Sequence, residues 1–235
     1  GTVTADANIR SNLGISAFNG AVTLGNPDGL SYQRGIAIGG GSVSGAGTGA
    51  LAVTNTPNAV AIGNNAQALG NFGVAYGQSA IARGERSIAI GASSETFADD
   101  AVAMGVFARA EGSGSTALGT SSIARGERSV ATGIGAQALG SQSSAFGSAA
   151  RASGASTVAV GAQAQSTGNS SIAIGSSANA SADGANAMGR NALAGGTDAI
   201  AIGSDTRATA ANGIALGGRA SAAGGATAIG ADSAA

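Results

Sequence analysis

The chain has 235 residues, of which 42 are glycine, 3% are aromatic and 10% are charged. Its apolar content rests on alanine, and side chains that small cannot fill a wide core at native packing density. All basic residues are arginine, eleven against twelve acids, and a net charge of −1 gives no grip on nucleic acid. Cysteine, histidine, lysine and tryptophan are absent, which removes disulfides, thiolate metal sites and most nucleophilic and acid–base machinery. Two prolines without a Gly-X-Y period exclude collagen. Low charge with regularly recurring Val and Ile argues against disorder. No run approaches the ~20 apolar residues that span a bilayer.

Residues 1–20 fit no repeat and read as an atypical N-terminal cap. The start, Gly1-Thr2-Val3-Thr4, has no basic-then-apolar leader. Residues 21–235 read as one repetitive domain. Val22-Thr23-Leu24-Gly25 and Ile36-Ala37-Ile38-Gly39 are its first two strand signals. An irregular coil is expected at about 40–59, because Gly39 and Gly63 lie 24 positions apart where two coils would give 28. There Leu51-Ala52-Val53 ends in Thr54, and Asn55-Thr56-Pro57-Asn58 reads as a shortened return.

From Gly63 to Gly217, a glycine recurs every fourteen residues. Before it stands a large-small-large segment such as Val60-Ala61-Ile62, Ile88-Ala89-Ile90, Val158-Ala159-Val160 or Ile172-Ala173-Ile174. Period two is the mark of a strand with unlike faces. Three residues after each glycine comes a second alternation, Ala66/Ala68, Ala108/Ala110 or Ala136/Ala138, closed by another glycine such as Gly70, Gly112 or Gly140. Two strands and two glycine turns make one coil, the glycines being expected to take positive φ. A helix is untenable, since each interior glycine costs about 1 kcal/mol and the apolar spacing is two. Gly217 to Gly230 is thirteen, a slip near the end. Coils stacked about 4.8 Å apart form parallel, in-register ladders, on the order of 75 Å for some sixteen coils, each contacting mainly its neighbours.

The consensus Ser-(Val/Ile)-Ala-Ile-Gly-x-x-Ala-x-Ala-x-Gly resembles the head repeat of trimeric autotransporter adhesins. Ser87-Ile88-Ala89-Ile90-Gly91 and Ser171-Ile172-Ala173-Ile174-Gly175 match the YadA-like head motif most fully. The resemblance implies an all-β, left-handed parallel β-roll assembled as a homotrimer on a Gram-negative outer surface. It further implies attachment to host matrix proteins, to host cells or to one another, without cofactor or membrane contact in this segment. No neck motif, heptad stalk or membrane barrel follows the repeats; export signal and anchor are expected outside these residues.

A physical argument also calls for partners. Each fully buried Val or Ile is worth about 1.5–3 kcal/mol, so a ladder left wet is costly and adhesive. The ladder comprises Val60, Ile62, Val74, Ile88, Ile90, Val102, Met104, Val158, Val160, Ile172, Ile174, Ile200 and Ile202. Our preferred assignment turns it towards the threefold axis, with Ala inside the roll. The alternative packs it against Ala inside the roll and leaves Ala and Ser between chains.

Ligand-contact candidates are few. Arg83, Glu85 and Arg86 lie in Ile81-Ala82-Arg83-Gly84-Glu85-Arg86-Ser87, which recurs as Ile123–Ser129 with Arg125, Glu127 and Arg128. The two copies are expected on one edge about 14 Å apart, three coils away from each other. Duplication of solubilising charge is the simpler account, and exposed pairs of this kind are worth only about 0–1 kcal/mol. Phe107, at a small-residue phase, is a further contact candidate, whereas Phe146 takes an Ile place and reads as core. Asp99-Asp100 reads as solvated turn rather than a carboxylate pair. No Walker lysine and no calcium-roll motif is present, and Asn169-Ser170-Ser171 is a coincidental glycosylation match. An ice-binding solenoid would need a threonine ladder that is missing, a carbohydrate-processing β-helix a wider acidic groove. A purely structural spacer is the remaining alternative to an adhesin.

Overall fold

A computed structural model describes residues 36–38, 53–54 and 58–235. The proposed cap and the first strand, Val22-Thr23-Leu24, lie outside the described residues. The chain divides into two compact units, Gly1–Phe107 and Ala108–Ala235. Each is a parallel β-solenoid, and the described residues contain no helix.

In both units the coil has two sides. Three-residue strands such as Val60–Ile62 and Ile172–Ile174 build the first sheet, two-residue strands such as Gln67–Ala68 and Gln165–Ser166 the second. Within each unit a strand pairs in parallel with its equivalent fourteen residues on, as in Ile172↔Asn186 and Gln165↔Asn179.

Glycine spacing suggests a fourteen-residue unit, but the backbone repeats every seven. In the first unit Asn58, Asn65, Phe72, Ser79, Arg86, Ser93, Asp100 and Phe107 all have φ between 54° and 60°. In the second, Gly114, Ser121, Arg128, Gly135, Gln142, Ala149 and Ser156 continue the interval. Each is the third residue of a β-turn: Ala66 N–H donates to Gly63 O at 3.3 Å around Asn65, and Gly73 N–H to Gly70 O at 2.9 Å around Phe72. Positive φ at that place is the type II signature. The expected positive φ is met by the glycine that follows each three-residue strand and not by the second glycine series. Gly161 has φ +128°, and a Cβ there would also stand 2.6 Å from Gly175 O; Gly154 lies outside the left-handed region, and it is held to glycine because a Cβ on it would stand 2.4 Å from Gly168 O. The residue that takes the left-handed turn is usually Asn, Ser, Asp, Arg or Gln.

Two side chains per half-coil point inward, and nearly all are alanine. Ala136, Ala138 and Ala145 with Ser143 line one coil, and Ala150, Ala152, Thr157 and Ala159 the next. Threonine is the largest fully buried side chain. At several turn exits a Ser or Thr hydroxyl donates to the turn's first carbonyl: Ser87 to Gly84 O at 2.7 Å, Thr157 to Gly154 O at 2.8 Å and Thr206 to Gly203 O at 2.7 Å, whereas the buried hydroxyls of Ser115, Ser129 and Ser143 make no such bond. Where it forms, the bond answers the cost of burying a hydroxyl.

Both irregularities have definite forms. Ile36–Ile38 pairs directly with Val60–Ile62, 24 residues on, while Val53–Thr54 joins the second sheet beside Gln67–Ala68 at the usual fourteen. The first sheet thus takes 24 residues between its two strands and the second the usual fourteen, while the return read at residues 55–57 lies outside the described residues. Near the end, Ile214 pairs with Thr227, thirteen on. There the turn closes directly after the strand Ser221–Ala222, with Ala226 N–H donating to Ala223 O at 3.2 Å.

A thin interior makes a clear forecast. Ala173→Leu should lower the unfolding free energy by about 1–3 kcal/mol or more through overpacking. Gln165→Leu, on the outer side of the second sheet, should stay within about 0.5 kcal/mol. Equilibrium urea unfolding followed by circular dichroism separates them; equal effects would refute the thin-core account.

Candidate interaction surfaces

Because both inward positions of every strand are small, every large side chain is turned outward, and the two outer faces differ. On the first sheet, Val60, Ile62, Val74, Ile88, Ile90 and Val102 stand half-buried in the first unit and Met104 exposed. In the second unit Val158, Val160, Ile172 and Ile200 are half-buried, with Ile174 and Ile202 exposed. None of this ladder lies inside the roll; Ala fills that place. Phe146, expected in the core, also stands on this face with 40% of its surface open. It has no inward route, since strand alternation points its neighbour Ala145 into the interior. Tyr76 takes the same outward position in the first unit.

The second sheet's outer face is mostly polar, with Ile81, Ile123 and Leu193 the exceptions. In the second unit its leading positions are Arg109, Ile123, Gln137, Arg151, Gln165, Asn179, Leu193, Arg207 and Ser221. Two strands of the same coil, built on one alanine interior, therefore present opposite chemistries to their surroundings.

At the turns, the two identical heptapeptides acquire different partners. In the first unit Arg86 holds Asp100 through two hydrogen bonds, 2.7 and 2.9 Å, and reaches Glu85 at 2.7 Å. Arg83 pairs with Glu95 and lies over the Phe97 ring, 4.8 Å from its centroid, a cation–π distance. Asp99 accepts a hydrogen bond from Glu85 N–H at 2.8 Å, so the Asp99-Asp100 pair is part of the turn. In the second unit Arg125 turns to Glu111 at 2.8 Å, and Arg109 reaches the same carboxylate at 3.2 Å. Arg128 meets Glu127 at 3.0 Å, and Gln142 stands at the place corresponding to Asp100. The sequence argument read charges within each turn and missed these partners. Their signal is the fourteen-residue offset itself, which joins Arg86 to Asp100 and Glu111 to Arg125.

Electrostatics follow from these pairs. Hydrogen bonding to Arg86 holds the Asp100 carboxyl below its ordinary range, and Asp100 in turn raises Arg86. Asp232 is lowered in the same way by Arg219, and Asp205 by hydrogen bonds from Asn191 and Ser204 and by Arg190. All are exposed, so they order turns more than they stabilise the fold. The Asn169 side chain is engaged too, accepting from Ala155 N–H at 3.0 Å, and Ser171 of the formal glycosylation match is buried.

Exposed aromatics cluster in the first unit. Phe107 is 58% exposed at a left-handed turn residue, and Phe72, which sequence reasoning passed over, is 50% exposed in the same conformation. Tyr76 and Phe97 complete the group. Only a phase-by-phase comparison of turn residues could have singled out Phe72. Among the described residues, no group of His, Cys, Asp or Glu could hold a metal ion.

Comparison with known proteins gives a specific likeness. The family model for the YadA head domain repeat matches residues 57–80, 82–108, 110–136, 138–164, 166–192 and 194–220. The collagen-binding domain of the Yersinia adhesin YadA, a crystal structure, is 25% identical over 72% of this chain and 80% of its own, with a TM-score of 0.37. The curated proteins contain no match.

The Arg86–Asp100 pair can be tested by pH. With the folded carboxyl lowered, its contribution is present above the unfolded pKa near 4 and is lost as pH falls through the lower folded value. The thermal midpoints of the wild type and Asp100→Asn should therefore differ at pH 6 and converge by about pH 2, with the gap shrinking in high salt.

Proposed function

Since this chain belongs to the YadA head family, we propose that it is an adhesin head, assembled as a homotrimer through the outer face of its first sheet. The observation that carries this reading is the contrast between the two outer faces. A face mostly of Val, Ile, Leu, Met and Phe, interrupted by Thr116, Thr132, Ser144 and Asn186, exceeds what a monomer leaves in water. The opposite face, mostly of Arg, Gln, Asn and Ser, is built to stay solvated. Three identical chains satisfy the first while leaving the second and the turn edges outward. Repetition then serves attachment, because weak contacts made at several coils together multiply into avidity.

In this reading the protein is displayed on the bacterial surface and carries no catalytic site. Its ligands are host matrix proteins or host cells, and its own copies on neighbouring bacteria. Arg83, Glu85, Arg86 and Phe107 in the first unit, with Arg125, Glu127 and Arg128 in the second, remain the proposed contacts. Phe72 joins them on its exposure.

Two measurements test the proposal. Light scattering should give three times the 21.7 kDa chain mass, and Ile172→Asp with Ile200→Asp should reduce it to the monomer. Solid-phase binding to collagen, fibronectin, laminin and immobilised copies should show saturation by the trimer and at least a tenfold loss for the monomeric variant. A monomeric wild type would refute the assembly; a trimer that binds none of the panel would favour a spacer.

A further inference from the structure

A repetitive interface has a problem of register. Where three such faces meet along the run from Val158 to Leu216, sliding one chain by a single coil, about 4.8 Å, exchanges one aliphatic side chain for another at nearly every position and leaves the buried apolar area there almost unchanged. Some side chain must make one alignment better than its neighbours. From Val158 to Leu216 the outer face of the first sheet reads Val158/Val160, Ile172/Ile174, Asn186/Met188, Ile200/Ile202 and Ile214/Leu216. Asn186 is the one polar side chain in these five coils. It is half-buried and pairs in register with Ile172 on one side and Ile200 on the other.

Resting on the homotrimer reading, we propose that Asn186 is a register-determining residue that locks the three chains in alignment. Its Nδ2 donates to Gly184 O at 2.8 Å. A primary amide has two N–H donors and a carbonyl oxygen with two lone pairs, so one N–H and the Oδ1 remain for a partner. In register, the three Asn186 amides fall in one layer, and each can donate its second N–H to the Oδ1 of the next. A one-coil slip sets the amide of the displaced chain against Ile172 or Ile200 of its neighbours, which offer neither donor nor acceptor. An amide buried without a partner is penalised far more than a paired one gains. A lone asparagine in an otherwise apolar helical seam fixes register and oligomer state on the same grounds, at some expense in stability.

The test reads symmetry. An aligned trimer has equivalent chains, and each isoleucine δ1-methyl gives one NMR resonance. A slipped chain makes the three inequivalent and splits Ile172, Ile174, Ile200 and Ile202. The wild type should show single resonances. Asn186→Val should keep the trimeric mass, raise the melting temperature and show split resonances, with slipped registers enriched roughly tenfold or more by loss of the amide penalty. Moving the asparagine one coil, with Ile172→Asn added to Asn186→Val, should restore single resonances. Single resonances in Asn186→Val overturn the proposal, as do loss of its trimer or persistent splitting in the double variant. A wild type that scatters as a monomer refutes the trimer itself, a separate result.

Discussion

Every other property of this protein depends on the thinness of its interior. Two inward side chains per half-coil, none larger than threonine, hold the two sheets close enough that a Val or Ile has no room between them. Alanine contributes little burial per residue, so stability has to come from repetition: each coil adds the same small increment and the same ladder of backbone hydrogen bonds. The turns are part of that constraint. A chain that reverses every seven residues needs a left-handed residue at each reversal, and the structure places Asn, Ser, Asp, Arg or Gln there far more often than glycine.

The outer faces are a consequence. Strand alternation sends one side chain out for each one in, and the interior accepts only small ones, so all bulk accumulates outside. On the first sheet that bulk is mostly aliphatic, on the second mostly polar. A single chain built this way leaves one side largely apolar, and the proposed trimer would cover that side without any change in the coil. Within such an interface, repetition that favours assembly also permits slippage, and a single amide among isoleucines is a physical answer to that ambiguity.

Charge has a local role here. The same Ile-Ala-Arg-Gly-Glu-Arg-Ser segment pairs with Glu95 and Asp100 in one unit and with Glu111 in the other. Identical sequence does not give identical surface, because the coil above or below supplies the partner. The charged edges therefore differ along the chain even where the repeat is perfect.

The sequence by itself determined the fourteen-residue coil, its two parallel strands, the absence of helix and the family. These follow from local alternation and glycine spacing, which are readable in a single line of residues. It left open which face of the Val/Ile strand turns inward, and the structure put alanine there. Tertiary structure alone decided what lies next to what. It showed the seven-residue backbone interval, which glycine spacing conceals because most left-handed turn residues carry side chains. It moved Phe146 from core to outer face, since Ala145 already claims the inward direction. It set Ile36 beside Val60, a contact between residues 24 apart. And it gave Arg86 its partner in Asp100, a neighbour only after the coils have stacked.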